Sequence, residues 1–282
     1  MGDSTRVVLP ADSNQAYGLG EFAVEFMNGD AGSRGEPSAA VLERTNMFHT
    51  DAVLCGVSAL ALGTNAPTVL RNEALNYPAA GGTRLGRVTT KRAGATVFGS
   101  GVDVAVEKAI LANTAAVREW DSNGTNFGYS EERPEHRAGE FGHNDFYSVP
   151  IAAAQMMGRD GEYALRGMVL LDEIRGRLAE VFSLKTYKID HVVHGAIASA
   201  VTFGAMTGAT PAEIESAIGM FVAHHIPFRA IRHGHQLSDS KGASAAISSC
   251  SESSFVSMAT WAGRSIFWHK ASHGFKSSRY TA

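Results

Sequence analysis

The stretch that decides the fold is residues 189–222, IDHVVHGAIASAVTFGAMTGATPAEIESAIGMFV. Its first half, Val192–Met206, consists mostly of small and apolar residues, which indicates a buried core helix. A glycine ends that helix, and a second helix follows with a recognisable start: the N-cap, the first helical residue and the capping-box partner are Thr210, Pro211 and Glu213. Helices joined by such short connections are typical of an α-helical bundle.

The same helical texture extends along most of the chain. Apolar residues recur at spacings of three or four and predict helices at four further places: 38–62, 102–120, 148–157 and 163–182. Alternating β-branched runs are almost lacking, and one short extended piece is predicted at 95–99. The fold class that follows is all-α, a helical bundle.

The predicted bundle domain occupies residues 38–267. The segment before it, 1–37, ends in a stretch rich in Asn, Gly and Asp and is predicted to be irregular. The residues after it, 268–282, are polar and Ser-rich, so they are predicted to form a tail outside the core.

Composition restricts the class of protein. The 282 residues are 44% hydrophobic and 19% charged, and 25 Lys+Arg against 28 Asp+Glu give a net charge of −3, which argues against disorder and against a nucleic-acid partner. Cys55 and Cys250 are too few for a disulfide framework or a ligated iron–sulfur cluster. Neither a membrane span nor a signal peptide is recognisable. We expect a cytoplasmic protein, or a mitochondrial one in a eukaryotic source, with no membrane partner.

Residues 121–145 form a long polar segment between two predicted helices. A loop of this length in a compact domain is usually functional or mobile. Asp121, Thr125, His143 and Asp145 would converge if the segment folds back on the bundle. The alternative is that both aspartates are helix caps or turn residues and that His143 is a surface residue.

Two further clusters carry acid/base or anion-binding side chains. His191 and His194 lie three residues apart at a helix start. His191 is either a general acid/base or a histidine with an ordinary structural role. A metal site is the weakest interpretation, because no third ligand occurs at a standard spacing. The second cluster is a basic one: Arg229, Arg232, His233, His235 and Lys241. Guanidinium and ammonium groups bind carboxylates, so this cluster is a candidate pocket for a di- or tricarboxylate, and a solvated basic loop is the alternative.

These clusters occur in the order of similar motifs in the MmgE/PrpD family. The matching segments are 48–56, 97–99, 118–125, 140–143, 189–192 and 208–210, followed by Arg232, His233 and Lys241. Over residues 39–263 the sequence therefore resembles this family, which includes 2-methylcitrate dehydratase and cis-aconitate decarboxylase. Each motif is short, but their order and separations together are specific.

The resemblance implies an α-helical domain with a pocket at helix ends, a small polycarboxylate substrate and homodimer assembly. The expected catalytic residues are His143, His191, Lys241 and Asp121. The expected substrate-binding residues are Thr125, Arg232, His233 and Asp145. No metal and no cofactor are expected, because side chains can carry out the acid/base chemistry that aconitase performs with an iron–sulfur cluster.

The expected activity is that of a hydro-lyase which dehydrates 2-methylcitrate or a related tricarboxylate, as in propionate catabolism. Decarboxylation of cis-aconitate and epimerisation use the same kind of pocket and remain alternatives. Family members continue into a smaller lid domain that has no counterpart here, so we expect an incomplete helical domain with apolar surface that is exposed or covered by a partner. An inactive relative that acts as a binding or assembly partner is the third interpretation.

Overall fold

The computed structural model describes residues 12–262 apart from 31, 33–34, 80, 82–83, 86–87, 93, 127–141, 183 and 230–238. Its helices are α1 (Gln15–Asn28), α2 (Ala39–Ala61), α3 (Asn65–Ala74), α4 (Val106–Arg118), α5 (Ser148–Met157), α6 (Gly161–Val181), α7 (Val192–Met206), α8 (Pro211–His224) and α9 (Asp239–Ala262). Two short antiparallel pairs join β1 (Arg84–Leu85) to β2 (Val88–Thr89) and β3 (Ala95–Thr96) to β4 (Asp103–Val104). The all-α prediction is confirmed.

Helix α7 is the centre of the bundle. Almost all of its residues are buried, and it packs against α1, α5, α6, α8 and α9. Its small side chains allow this close approach: a Cβ placed on Gly195 would lie 2.2 Å from the Phe146 ring, so only glycine lets α7 meet the turn before α5. The predicted capping box is present at the start of α8, where Thr210 and Glu213 exchange hydrogen bonds.

The prediction of an irregular segment is wrong for residues 15–28, which form α1, while residues 1–11 lie outside the described residues. The Asn14 side chain accepts a hydrogen bond from the Tyr17 N–H at the start of this helix, and Gly29 ends it in the left-handed conformation (φ 80°). Ala23 and Phe26 are buried against the bundle. Two glycines in its first half weaken the helical signal in the sequence, since glycine has a low helix propensity. Packing against α7 and α8 overrides that propensity.

The outer face of α2 exposes apolar side chains. Met47, Leu54 and Val57 are at least half exposed, with exposed fractions of 56%, 64% and 50%. Exposed apolar side chains also occur elsewhere among the described residues, for example Tyr187, Phe228 and Met258, so the expectation of an uncovered apolar face stays a prediction. The predicted tail, 268–282, lies outside the described residues.

Within the described ranges, no individual helix has both the length and the apolar character needed to cross a membrane. Helices α2 and α3 meet the length and composition criteria only as a pair, bent by 93° where they join.

Candidate active site

The His143 side chain is carried by a short 3₁₀ turn, His143–Phe146, directly before α5. Gly142 precedes the turn with φ 63°, and a Cβ at this position would lie within 3 Å of the Arg118 and Asp145 side chains. Arg175 of α6 holds the turn from the other side: its guanidinium is fully buried and donates to the carbonyl oxygens of Gly142 (2.7 Å) and His143 (2.9 Å). The position of His143 is thus fixed by α6.

A chain of ion pairs connects this turn to the surface. Lys241 Nζ lies 2.5 Å from Asp121 Oδ2, Arg118 lies 2.9 Å from Asp121 Oδ1, and Arg118 lies 2.6 Å from Asp145 Oδ2. Arg118 and Asp145 are buried, whereas the Asp121 side chain is 40% exposed. We call Lys241, Asp121, Arg118 and Asp145 the ion-pair chain. Lys241, Asp121 and Asp145 of this ion-pair chain were predicted from the sequence. The fold brings them together even though Asp121 and Lys241 are 120 residues apart in the sequence.

The electrostatics of the ion-pair chain centre on Arg118. Burial lowers the pKa of this guanidinium, but the nearby carboxylates of Asp145 and Asp121 more than compensate, so its pKa is raised above the ordinary value. The carboxylate of Asp190 also raises the pKa of Arg118. The start of α7 therefore lies close enough to act electrostatically on the ion-pair chain. Arg118 therefore stays charged and pairs with carboxylates from two separate segments, Asp121 and Asp145.

Amide side chains hold the segment 123–125 over the turn. Asn123 Nδ2 donates to Asn144 Oδ1 (2.8 Å) and to Asp145 Oδ1 (2.7 Å). Asp51 of α2 accepts from the Gly124 N–H (2.7 Å) and from Asn144 Nδ2 (2.9 Å). Sequence reasoning did not select Asp51, Asn123 or Asn144, although the family-like segments 48–56 and 118–125 contain the first two.

The imidazole of His143 is held in a neutral state. The Thr125 N–H donates to His143 Nδ1 (3.2 Å), so the ring proton is on Nε2. The Phe48 ring stands at right angles to the imidazole, with its centre 4.2 Å away. Burial, together with the positive charge of Arg175, lowers the pKa of His143 to about 4. His143 is therefore uncharged at neutral pH, with its proton on Nε2.

Two cavities border the site. The larger, about 770 Å³, is lined by Ala40, Val41, Arg44, Thr45, Phe48, Thr125, His143, Val169, Asp172, Glu173, Gly176, Arg177 and Glu180, and we call it the His143 cavity. The smaller, about 300 Å³, is lined by Arg118, Glu119, Trp120, Asp121, Asp239, Lys241 and Gly242, and we call it the Lys241 cavity. Asp121 lines the Lys241 cavity and Thr125 lines the His143 cavity, so the short segment 121–125 borders both cavities.

The remaining predicted residues are placed differently. His191 is buried directly before α7, with Nδ1 3.6 Å from Asp190 Oδ1, and it is not among the side chains that line either cavity. Arg232 and His233 lie outside the described residues. The alternative that His143 is a surface residue is wrong, since its side chain is only 5% exposed. Among the described residues, no group of three or more His, Cys, Asp or Glu side chains is arranged to hold a metal ion.

The low pKa of His143 predicts a pH dependence of stability. Between about pH 6.5, the ordinary pKa, and about pH 4, the unfolded chain binds a proton that the folded chain excludes. The contribution of this histidine to the free energy of unfolding is therefore complete above pH 6.5 and falls by on the order of 3 kcal/mol as the pH drops through this window. Urea unfolding of the wild type and of His143→Asn at several pH values measures it.

The comparison of the two chains isolates the contribution of His143 from that of every other titrating group. The difference in stability between wild type and His143→Asn should shrink as the pH falls. A difference that stays constant over this pH range would show that His143 titrates normally.

One comparison with known proteins bears on identity. A family model, the MmgE/PrpD N-terminal domain, matches residues 33–276. The matched region includes the ion-pair chain, the His143 turn and α2 to α9. The family-like order of motifs in the sequence and this match agree. The chain belongs to the MmgE/PrpD family, a family of dehydratase and lyase type.

Proposed function

We propose that this chain is a hydro-lyase that removes water from 2-methylcitrate or a closely related tricarboxylate by side-chain acid/base catalysis. The observation that carries the proposal is the meeting of the ion-pair chain and the neutral imidazole of His143 at the segment 121–125. The ammonium group of Lys241, which can bind a substrate carboxylate, and the N–H group of His143 thus lie on either side of one short stretch of backbone.

Elimination of water from a β-hydroxy acid has three chemical requirements. A base removes the proton next to a carboxylate, an acid protonates the departing hydroxyl, and cations stabilise the charge that develops on the carboxylate. Lys241 is the best-placed cation for the third requirement, because its side chain is 23% exposed at the edge of a cavity. Asp121 holds the ammonium in place, and the buried Arg118 holds Asp121.

His143 supplies a neutral donor on the other side of the segment. With Nδ1 accepting from Thr125, the ring can donate its Nε2 proton toward a carboxylate or hydroxyl group but cannot accept a proton at Nδ1 without losing that hydrogen bond. We therefore propose that His143 stabilises negative charge in the transition state, and that the two cavities are the two ends of one tricarboxylate site. His191, which lies beside Asp190 and lines neither cavity, then has no direct part in the reaction.

Turnover of a small panel of acids tests the proposed function. The purified chain is incubated with 2-methylcitrate, citrate and cis-aconitate, and the products are followed by the absorbance of the new double bond and by mass spectrometry. We expect loss of water from 2-methylcitrate or citrate. Loss of carbon dioxide from cis-aconitate would replace the proposal by a decarboxylase, and an unchanged mass with inverted configuration would replace it by an epimerase. A folded chain that leaves every acid unchanged would contradict enzymatic function altogether.

A further inference from the structure

On the basis of the proposed function, we infer that Asp172 is the catalytic residue that carries the proton in this elimination. It lies on α6 and lines the His143 cavity together with His143 and Thr125. Neither the sequence motifs nor the family resemblance selected this residue.

The two carboxylate oxygens of Asp172 have different surroundings. Oδ2 accepts a hydrogen bond from the Tyr147 hydroxyl. Oδ1 is buried and has no hydrogen-bond partner among the described residues. A buried carboxylate oxygen without a partner is costly, and such a group in a native structure calls for an explanation, of which a catalytic role is one. A substrate in the cavity would supply the proton that Oδ1 lacks.

Tyr147 acts as a donor to Asp172 and not as a second base. Its ring is almost completely buried, and burial, together with the nearby carboxylate of Asp172, raises the pKa of its hydroxyl far above the ordinary value. The phenol therefore keeps its proton and orients the carboxylate through Oδ2.

The charged and titratable groups around Asp172 come from four elements. They are Tyr147 before α5, His143 in the 3₁₀ turn, Arg44 on α2, and Glu173, Arg175, Arg177 and Glu180 on α6 itself. Burial raises the pKa of Asp172 to about 7, while the hydrogen bond from Tyr147 and the charge of Arg175 oppose that rise. Arg177 is paired with Glu173 (2.8 Å) and Glu180 (3.3 Å). A carboxyl group that titrates near neutral pH can both take up and release a proton under working conditions.

Asp172 alone can both take up and return the proton that the elimination transfers. The carboxylate of Asp172 takes the proton from the carbon next to a substrate carboxylate, and the electron pair of the broken C–H bond forms the new C=C bond. The C–O bond breaks, and the departing hydroxyl takes the proton from the Asp172 carboxyl group to leave as water. Asp172 returns to its carboxylate form, so no further reactant is required. His143, neutral and engaged at Nδ1, is not needed as the base.

The pH dependence of kcat/KM tests the inference on whichever acid the wild type dehydrates. For the wild type we expect kcat/KM to rise with pH through a step near pH 7, since the base must be ionised. Asp172→Asn should lower kcat by roughly a hundredfold to ten-thousandfold and abolish the step. Tyr147→Phe retains the carboxylate but removes a hydrogen bond that lowers its pKa, so the step should move to higher pH.

Two further variants separate catalysis from folding. Added formate should restore part of the activity of Asp172→Ala, which loss of structure alone would not allow. Asp160→Asn is the matched control: Asp160 is the N-cap of the same helix, asparagine caps equally well, and the rate and pH step should stay as in the wild type.

The outcomes distinguish this inference from the proposed function. A wild type that dehydrates an acid while Asp172→Asn keeps its rate and pH step would overturn the role of Asp172 and leave the hydro-lyase intact. An unmoved step in Tyr147→Phe, or absence of formate rescue, would also contradict it. A folded wild type with no dehydration activity would overturn both.

Discussion

Replacing Arg118 by methionine is expected to lower the free energy of unfolding by about 3–5 kcal/mol. The substitution preserves most of the side-chain volume but leaves Asp145, which is fully buried, without its cation. An unpaired buried carboxylate costs far more than the pair itself contributes, since its desolvation is no longer compensated. Denaturant unfolding followed by circular dichroism measures the change.

A half-exposed pair is the matched control for this experiment. Arg92 and Asp103 form an ion pair in which the arginine side chain is 40% exposed, so Arg92→Met should cost about 1 kcal/mol or less. The double variant Arg118→Met/Asp145→Asn should recover part of the stability, because neither charge remains. Equal losses for Arg118→Met and Arg92→Met would show that the ion-pair chain does not organise the interior of the site.

Replacing Lys241 by alanine is expected to lower kcat/KM by roughly a hundredfold to a thousandfold, the loss typical when one preorganised electrostatic contact is removed. The stability of the chain should change by about 1 kcal/mol or less, because the pair with Asp121 is partly exposed. Steady-state kinetics on the acid that the wild type dehydrates, together with urea unfolding, separate the two effects.

The chain contains a close match to this lysine outside the site. Lys108 Nζ lies 2.5 Å from Glu73 Oε1, with side-chain exposures of 24% and 40%, against 23% and 40% for Lys241 and Asp121. Lys108→Ala removes an equivalent ion pair and should leave kcat/KM unchanged. Equal kinetic effects of the two substitutions would remove Lys241 from the site.

The sequence predicts those parts of the fold whose signal is local. The apolar run of α7 and the capping box of α8 specify both helices without tertiary information, and both are present. Helix α1 has an Asn14 cap and a terminal Gly29, but Gly18 and Gly20 lower its helix propensity, and packing against α7 and α8 stabilises it. A helix that depends on long-range contacts is difficult to recognise from its own residues.

The same distinction applies to the site. Asp121, Thr125 and His143 lie in a polar segment without periodicity, where charged residues stand out, and the structure brings Thr125 into contact with His143 and Asp121 into contact with Lys241. Asp172 and Arg175 lie within the amphipathic pattern of α6, where a charged residue is usually part of the solvated face. Only the folded chain reveals that Arg175 is fully buried beneath the turn and that Asp172 lines the cavity.

We propose that the His143 cavity and the Lys241 cavity bind one small tricarboxylate between them. Calorimetric titration with tricarballylate, which has three carboxylates but no hydroxyl to eliminate, tests it most directly. We expect binding to the wild type and Kd values at least about tenfold higher for both His143→Asn and Lys241→Ala. The controls Lys108→Ala and His49→Asn should keep wild-type affinity, since His49 lines a different cavity, together with Ile151 and Leu165. Unchanged affinity in either of the first two variants would contradict a single shared site.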